Sequence, residues 1–237
     1  MYYSLAVTGD PVLARLTKLA AAPLGLDLRF AASDFHTAVE HFPFDGAARF
    51  VVDVARSAEG QIVSYPVTAL APAPGGIETT MPTGMDSEVL QELQSTAISA
   101  AVEQSVIGAV SVAFSEDGHL LAQHLGPSEP GLWTLDAAHT SVFQNHLRAL
   151  LNLPLGSPEP LAPAAVTVTA TGGTERDPTG ALQHLHARDR QARIHLYGQP
   201  VFEGEPLGHV TCFGHDVDDL RRRAHHAANY LRGVDDR

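Results

Sequence analysis

The sequence predicts an α+β protein: an antiparallel sheet with helices packed on it. Two observations support this. Apolar, β-branched stretches occur in neighbouring pairs closed by turn residues, as in Val106–Phe114 and His119–Leu125 around Asp117-Gly118. Stretches with helical apolar spacing, such as SEVLQELQSTAISAAVEQ, lie between these strands. At 237 residues and 44% hydrophobic, the chain can bury a substantial core.

In chain order, Tyr3 to Val7 predicts a strand, and TGDP a turn into a helix over VLARLTKLAAAPLGL, with Asp10 as N-cap and Pro11 at the first helical position. Leu28 to Ala32 predicts a second strand. AARFVVDVARSAEGQIVSYPVTAL predicts further strands, turning at Glu59-Gly60. APAPGG is read as a loop, continuing into IETTMPTGMD. Asp86 or Ser87 is expected to cap a long helix, SEVLQELQSTAISAAVEQ, whose apolar positions are Val89, Leu90, Leu93, Ala97, Ile98, Ala101 and Val102. The hairpin follows, then a helix from about Thr140 to Asn152. Strands are expected in AAVTVTATGG, ARIHLYGQ and GHVTCFG. The terminal DVDDLRRRAHHAANYLRG predicts a helix with acidic residues early and basic residues later, as the helix dipole favours. Arg221 to Arg223 and His225-His226 are read as its solvated face. No internal repeat is found.

The net charge of −12 disfavours nucleic acid and acidic membrane surfaces. No apolar run approaches the roughly 20 residues that span a bilayer, and MYYSLAVTGD lacks a basic region leading into an apolar core. A soluble, cytoplasmic protein is expected. The single cysteine, Cys212, has no internal partner and is expected to be a small buried hydrophobe.

The segment Phe114 to Pro160, FSEDGHLLAQHLGPSEPGLWTLDAAHTSVFQNHLRALLNLPLGSPEP, resembles the core of the carboxyaminoimidazole ribonucleotide synthases, ATP-grasp enzymes of purine synthesis. The shared frame includes Asp117, Gly118, Leu120, Leu121, Trp133, Thr134, Asp136, Thr140, Ser141, Phe143, His146 to Ala149 and Leu153 to Gly156. VARSAEGQIVSYPV and RIHLYGQPVFEGEPLGHV are similar to two other stretches of that family. The resemblance implies an ATP-grasp-like antiparallel sheet with packed helices plus a small C-terminal β domain. It also implies that the N-terminal domain and the ATP-covering subdomain are largely deleted. Residues 1–44 would be the remnant N-terminal α/β domain, 45–160 the remnant core, and 161–237 the C-terminal β-rich domain with its terminal helix.

The same resemblance locates where chemistry is expected to be lost. In the family a glutamate on each hairpin strand holds magnesium; here His124 takes the second position and Ser111 or Ala113 the first. Magnesium demands oxygen ligands. The one lysine, Lys18, lies in the N-terminal helix, away from the sheet where the family's lysines hold ATP. GPSEPGLWT replaces a loop that carries cations, leaving Ser128 and Glu129 as its polar groups. Gln199, Glu203, Glu205 and Pro206 stand where the family has phosphate-binding cations. Loss of ATP, magnesium and ribonucleotide-phosphate binding is therefore expected, with no cofactor and no metal site.

Two functions could occupy such a frame. The first is a repurposed, ATP-independent enzyme acting on a small, neutral or hydrophobic biosynthetic intermediate by cyclisation, isomerisation, elimination or decarboxylation. Its acid/base set would be His124, His139, Ser111, Glu129 and Asp136, with Gln123, Leu132, Trp133, Tyr197 and His209 contacting the ligand. The second is a non-catalytic pseudoenzyme, a binding or assembly partner. An open apolar pocket holding His124 or His139 would favour the first, and a filled one the second. His184 and His186, two apart, would share a face only in a strand, and a zinc site there is weakly supported. Surface exposed by the lost subdomain predicts a homodimer.

Overall fold

The computed structural model describes residues 20–24, 46–174, 177–198 and 201–234. The expected strands Tyr3–Val7 and Leu28–Ala32, the Asp10 cap, Lys18 and Gln199 lie outside them.

Nine strands form a single sheet: β1 (Phe50–Arg56), β2 (Ile62–Ser64), β3 (Thr68–Ala73), β4 (Gly76–Met81), β5 (Gly108–Phe114), β6 (Leu120–Leu125), β7 (Ala164–Thr171), β8 (Arg193–Leu196) and β9 (Pro206–Gly214). Their order is β6-β5-β1-β3-β4-β7-β9-β8, with β2 on β1, and each pairing is antiparallel. The helices are α1 (Ser87–Glu103), α2 (Thr134–Ala137), α3 (Val142–Leu150), α4 (Thr179–Arg188) and α5 (Val217–Leu231). This is the α+β, ATP-grasp-like class that the sequence predicts.

β1 and β5 are covered on both faces, which explains why β5 is buried along its whole length instead of alternating. On one face Val52, Val54, Val110 and Val112 meet Leu93, Ala97 and Ala101 of α1. On the other, Ala55 meets Ala149 of α3. Val89 and Val102, expected on the buried stripe of α1, are exposed at its two ends. Asp86 holds the N-cap position but its side chain makes no capping bond. α3 starts later than expected, because Ser141 and Gln144 close a reciprocal capping box at its first turn.

The APAPGG segment is not a loop. Ala71 to Ala73 end β3, and Gly76 begins β4 in register with Ala73. Pro72 is tolerated because β1 pairs with β3 only at Thr68 and Ala69, so β3 beyond them has β4 alone as a neighbour. β4 then pairs with β7, carrying the sheet unbroken from the hairpin strands into the C-terminal strands. There α5 covers β7 and β9 through Leu220, Ala224, Ala227 and Leu231, against Val166, Val168, Val210 and Cys212. Burial pushes the Cys212 thiol up to about 12, as suits an inert core residue.

Candidate functional site

The hairpin sets Ser111 directly opposite His124, and β1 sets Asp53 directly opposite Ser111. These three side chains lie in a row on the sheet face away from α1. The Ser111 hydroxyl donates to Asp53 Oδ1, and the Ser128 hydroxyl donates to Ser111 Oγ at 2.7 Å. Asp53, Ser111 and Ser128 are all buried. Desolvation raises the Asp53 carboxyl to about 6 against the opposing bond from Ser111. Gly131 lies so close that a Cβ there would come within 3.0 Å of Asp53 Oδ2 and 2.7 Å of Val142.

Leu132 and Trp133 follow on a short 3-10 turn, Glu129–Trp133, and both are core residues. The indole of Trp133 donates to Thr68 Oγ1 at 3.1 Å. Both side chains, expected to contact a ligand, are thus packed into the core among the described residues. β6 is the last strand of the sheet among the described residues, and His124 on it is half-buried. Gln123 accepts from the amide of Gln104, Glu129 is half-buried, and His139 is exposed on the segment before α3 instead of at its start. The expected acid/base set thus divides, and only Ser111 and His124 are direct neighbours in register.

Asp136 belongs to a second cluster. Its Oδ2 lies 2.8 Å from His195 Nε2. His195 on β8 pairs with His209 on β9, and their rings stack at 4.6 Å. The Tyr197 hydroxyl is 2.9 Å from His209 Nδ1. One ligand atom each from Asp136, His195 and His209 lie within 4.8 Å of one another. Burial first, and the neighbouring His195 second, hold His209 well below the usual histidine range.

Two clefts lie elsewhere. One of about 370 Å³ is lined by Leu70, Glu78, Thr83 and Arg221, and one of about 800 Å³ by Arg188, Asp189, Arg222 and His226; neither is lined by His124 or His139. The terminal helix is not simply a solvated face. Arg221 Nε and His225 Nε2 reach buried Glu78 at 2.8 and 2.6 Å, and Arg223 pairs with Asp189. The His226 ring lies near those of His184 and Tyr230. His184 and His186 lie on helix α4, so they do not share a face.

The antiparallel sheet with its packed helices is that of an ATP-grasp-like protein. No protein-family model matches the chain. It is 35% identical over 196 residues to the N5-carboxyaminoimidazole ribonucleotide synthase of Mycobacterium bovis (strain ATCC BAA-935 / AF2122/97), covering 75% of this chain and 44% of that protein. The crystal structure of the synthetase from Thermotoga maritima matches with a TM-score of 0.66 and 25% identity, covering 77% of this chain and 51% of that one. The Aspergillus clavatus synthase, in complex with ADP and 5-aminoimidazole ribonucleotide, matches in fold with a TM-score of 0.68 and 21% identity, over 79% of this chain and 52% of that one. The chain is a homologue of the N5-carboxyaminoimidazole ribonucleotide synthases, and it spans less than half the length of the curated relatives it matches.

Proposed function

We propose that this homologue works without ATP and magnesium, as a soluble cytoplasmic binding or assembly protein. The observation that carries the reading is the state of Ser111. It or Ala113 stands where the resemblance expects a metal carboxylate; Ala113 is buried and has no ligand atom, and the Ser111 hydroxyl is fully buried and bonded to both Asp53 and Ser128. A magnesium ion needs octahedral oxygen ligands and retained waters, and a buried hydroxyl already bonded to two side chains is a poor provider of them. His124, opposite, would supply nitrogen. Glu203 and Glu205 are exposed carboxylates at the position expected to be basic, and they would repel a phosphate. Burial of Leu132, Trp133 and Ser128 at the former cleft favours binding over catalysis. The repurposed-enzyme reading draws support from Asp53, since a carboxyl near 6 is matched to proton transfer at neutral pH.

The test is thermal unfolding with and without millimolar magnesium-ATP. Ligand at a hundredfold excess over its dissociation constant would stabilise the protein by about 2.7 kcal/mol, a shift of several degrees. We expect no shift. A clear stabilisation, consistent with nucleotide binding as in the ADP-bound relative, would overturn the proposal.

A further inference from the structure

We propose that Asp136, His195 and His209 form a binding site for a divalent transition metal of the zinc type. Two imidazoles and a carboxylate are a donor set that zinc accepts, with a water completing a tetrahedron. Bonds of about 2.0–2.2 Å place neighbouring ligand atoms about 3.3 Å apart. The three candidate atoms already lie within 4.8 Å of one another, and the Asp136–His195 pair within 2.8 Å. The His195 and His209 rings are stacked with an interplanar angle of 18°, so the partly exposed His195 ring must turn out of the stack for both nitrogens to face one ion.

The second observation is the state of His209. Its ring is fully buried, and Nε2 has no hydrogen-bond partner. A buried polar atom left in that state is costly and calls for an explanation. Tyr197 occupies Nδ1, so the nitrogen available to a cation is Nε2. In that tautomer Nδ1–H donates to the tyrosine oxygen, the outer-shell support that metal-bound histidines commonly have. The side chains of Asp136 and His195 are 14% and 27% exposed, which leaves the cluster reachable by an ion and a water. Bound there, the metal would tie α2 to β8 and β9. The site stands apart from the Ser111 row and does not depend on whether ATP binds.

The experiment is zinc titration of metal-stripped full-length chain against a chromophoric chelator, with cobalt absorption reporting ligand geometry. With 13 histidines in the chain, adventitious binding must be separated by variants. We expect one ion per chain, weakened about a hundredfold or more by His195→Ala and by Asp136→Asn, and changed less than about twofold by His184→Ala. Asp136→Asn keeps the size and hydrogen-bonding capacity of the residue, so it tests the site even if His195→Ala does not fold. Zinc affinity unchanged in Asp136→Asn, or no binding tighter than millimolar in the unaltered protein, overturns the proposal.

Discussion

Asp53 lies in the apolar run Val51-Val52-Asp53-Val54 with one hydroxyl bonded to its carboxylate. In a strand covered on both faces, an ionised carboxylate is costly. Its folded pKa, about 6, is above the 3.8 of a solvated carboxyl. The native state therefore keeps a proton that the unfolded chain releases, and stability falls as pH rises from about 3.8 to 6. The loss is roughly 3 kcal/mol over that window. Asp53→Asn retains an oxygen for Ser111 and removes the titration. Urea unfolding between pH 4 and 7 should show the variant gaining on the native protein as pH rises, by roughly 1–3 kcal/mol at pH 7. A constant difference across that range would mean that Asp53 is solvated or paired. The sequence gives little notice of this residue, because an aspartate between valines signals burial only once α3 and Gly131 are known to cover it. The opposition of His124 and Ser111 is hidden too: register counted back from the Asp117-Gly118 turn puts Gln123 opposite Ser111, and a bulge beside Ala113 and Phe114 moves the pairing by one residue to His124.

At the scale of elements, α5 is fastened to β4 through Glu78. Burial alone would raise this carboxyl, but bonds from His225, Arg221 and Thr80 hold it down at about 2. A depressed carboxylate stabilises above its unfolded value near 4.5 and loses that contribution as pH falls toward 2. Glu78→Ala should therefore cost about 3 kcal/mol at pH 7, leaving Arg221 and His225 without their acceptor. The cost should shrink below pH 4, and calorimetry at the two pH values checks both statements. A penalty independent of pH would assign the effect to packing. The helix itself was legible from its dipole-ordered charges, but its clamp was not, since Glu78 lies 147 positions from His225. Likewise β5, β6 and α3 follow from local periodicity and turn residues. The β3–β4 hairpin does not, because Pro72 and Gly75-Gly76 are loop signals that long-range pairing with β7 overrides. The pairing of Asp136 with His195, 59 positions apart, is hidden for the same reason.

Across the whole molecule, the sheet ends on one side at β6, whose outer edge pairs with no strand among the described residues. Leu120, Leu121 and Leu125 on or beside that edge are 41%, 46% and 65% exposed. An edge strand with apolar side chains invites a partner strand. A second copy can supply the strand by twofold antiparallel pairing, which makes the same patch complementary to itself. We propose this edge as the homodimer interface, and it is compatible with an assembly role. Light scattering at micromolar concentration should give twice the 25.2 kDa chain mass. Leu125→Asp, which puts a carboxylate on the most exposed of the three leucines, should return the mass to that of one chain while circular dichroism stays unchanged. A single-chain mass for the unaltered protein would rule the dimer out, and a dimer untouched by Leu125→Asp would move the interface to another surface.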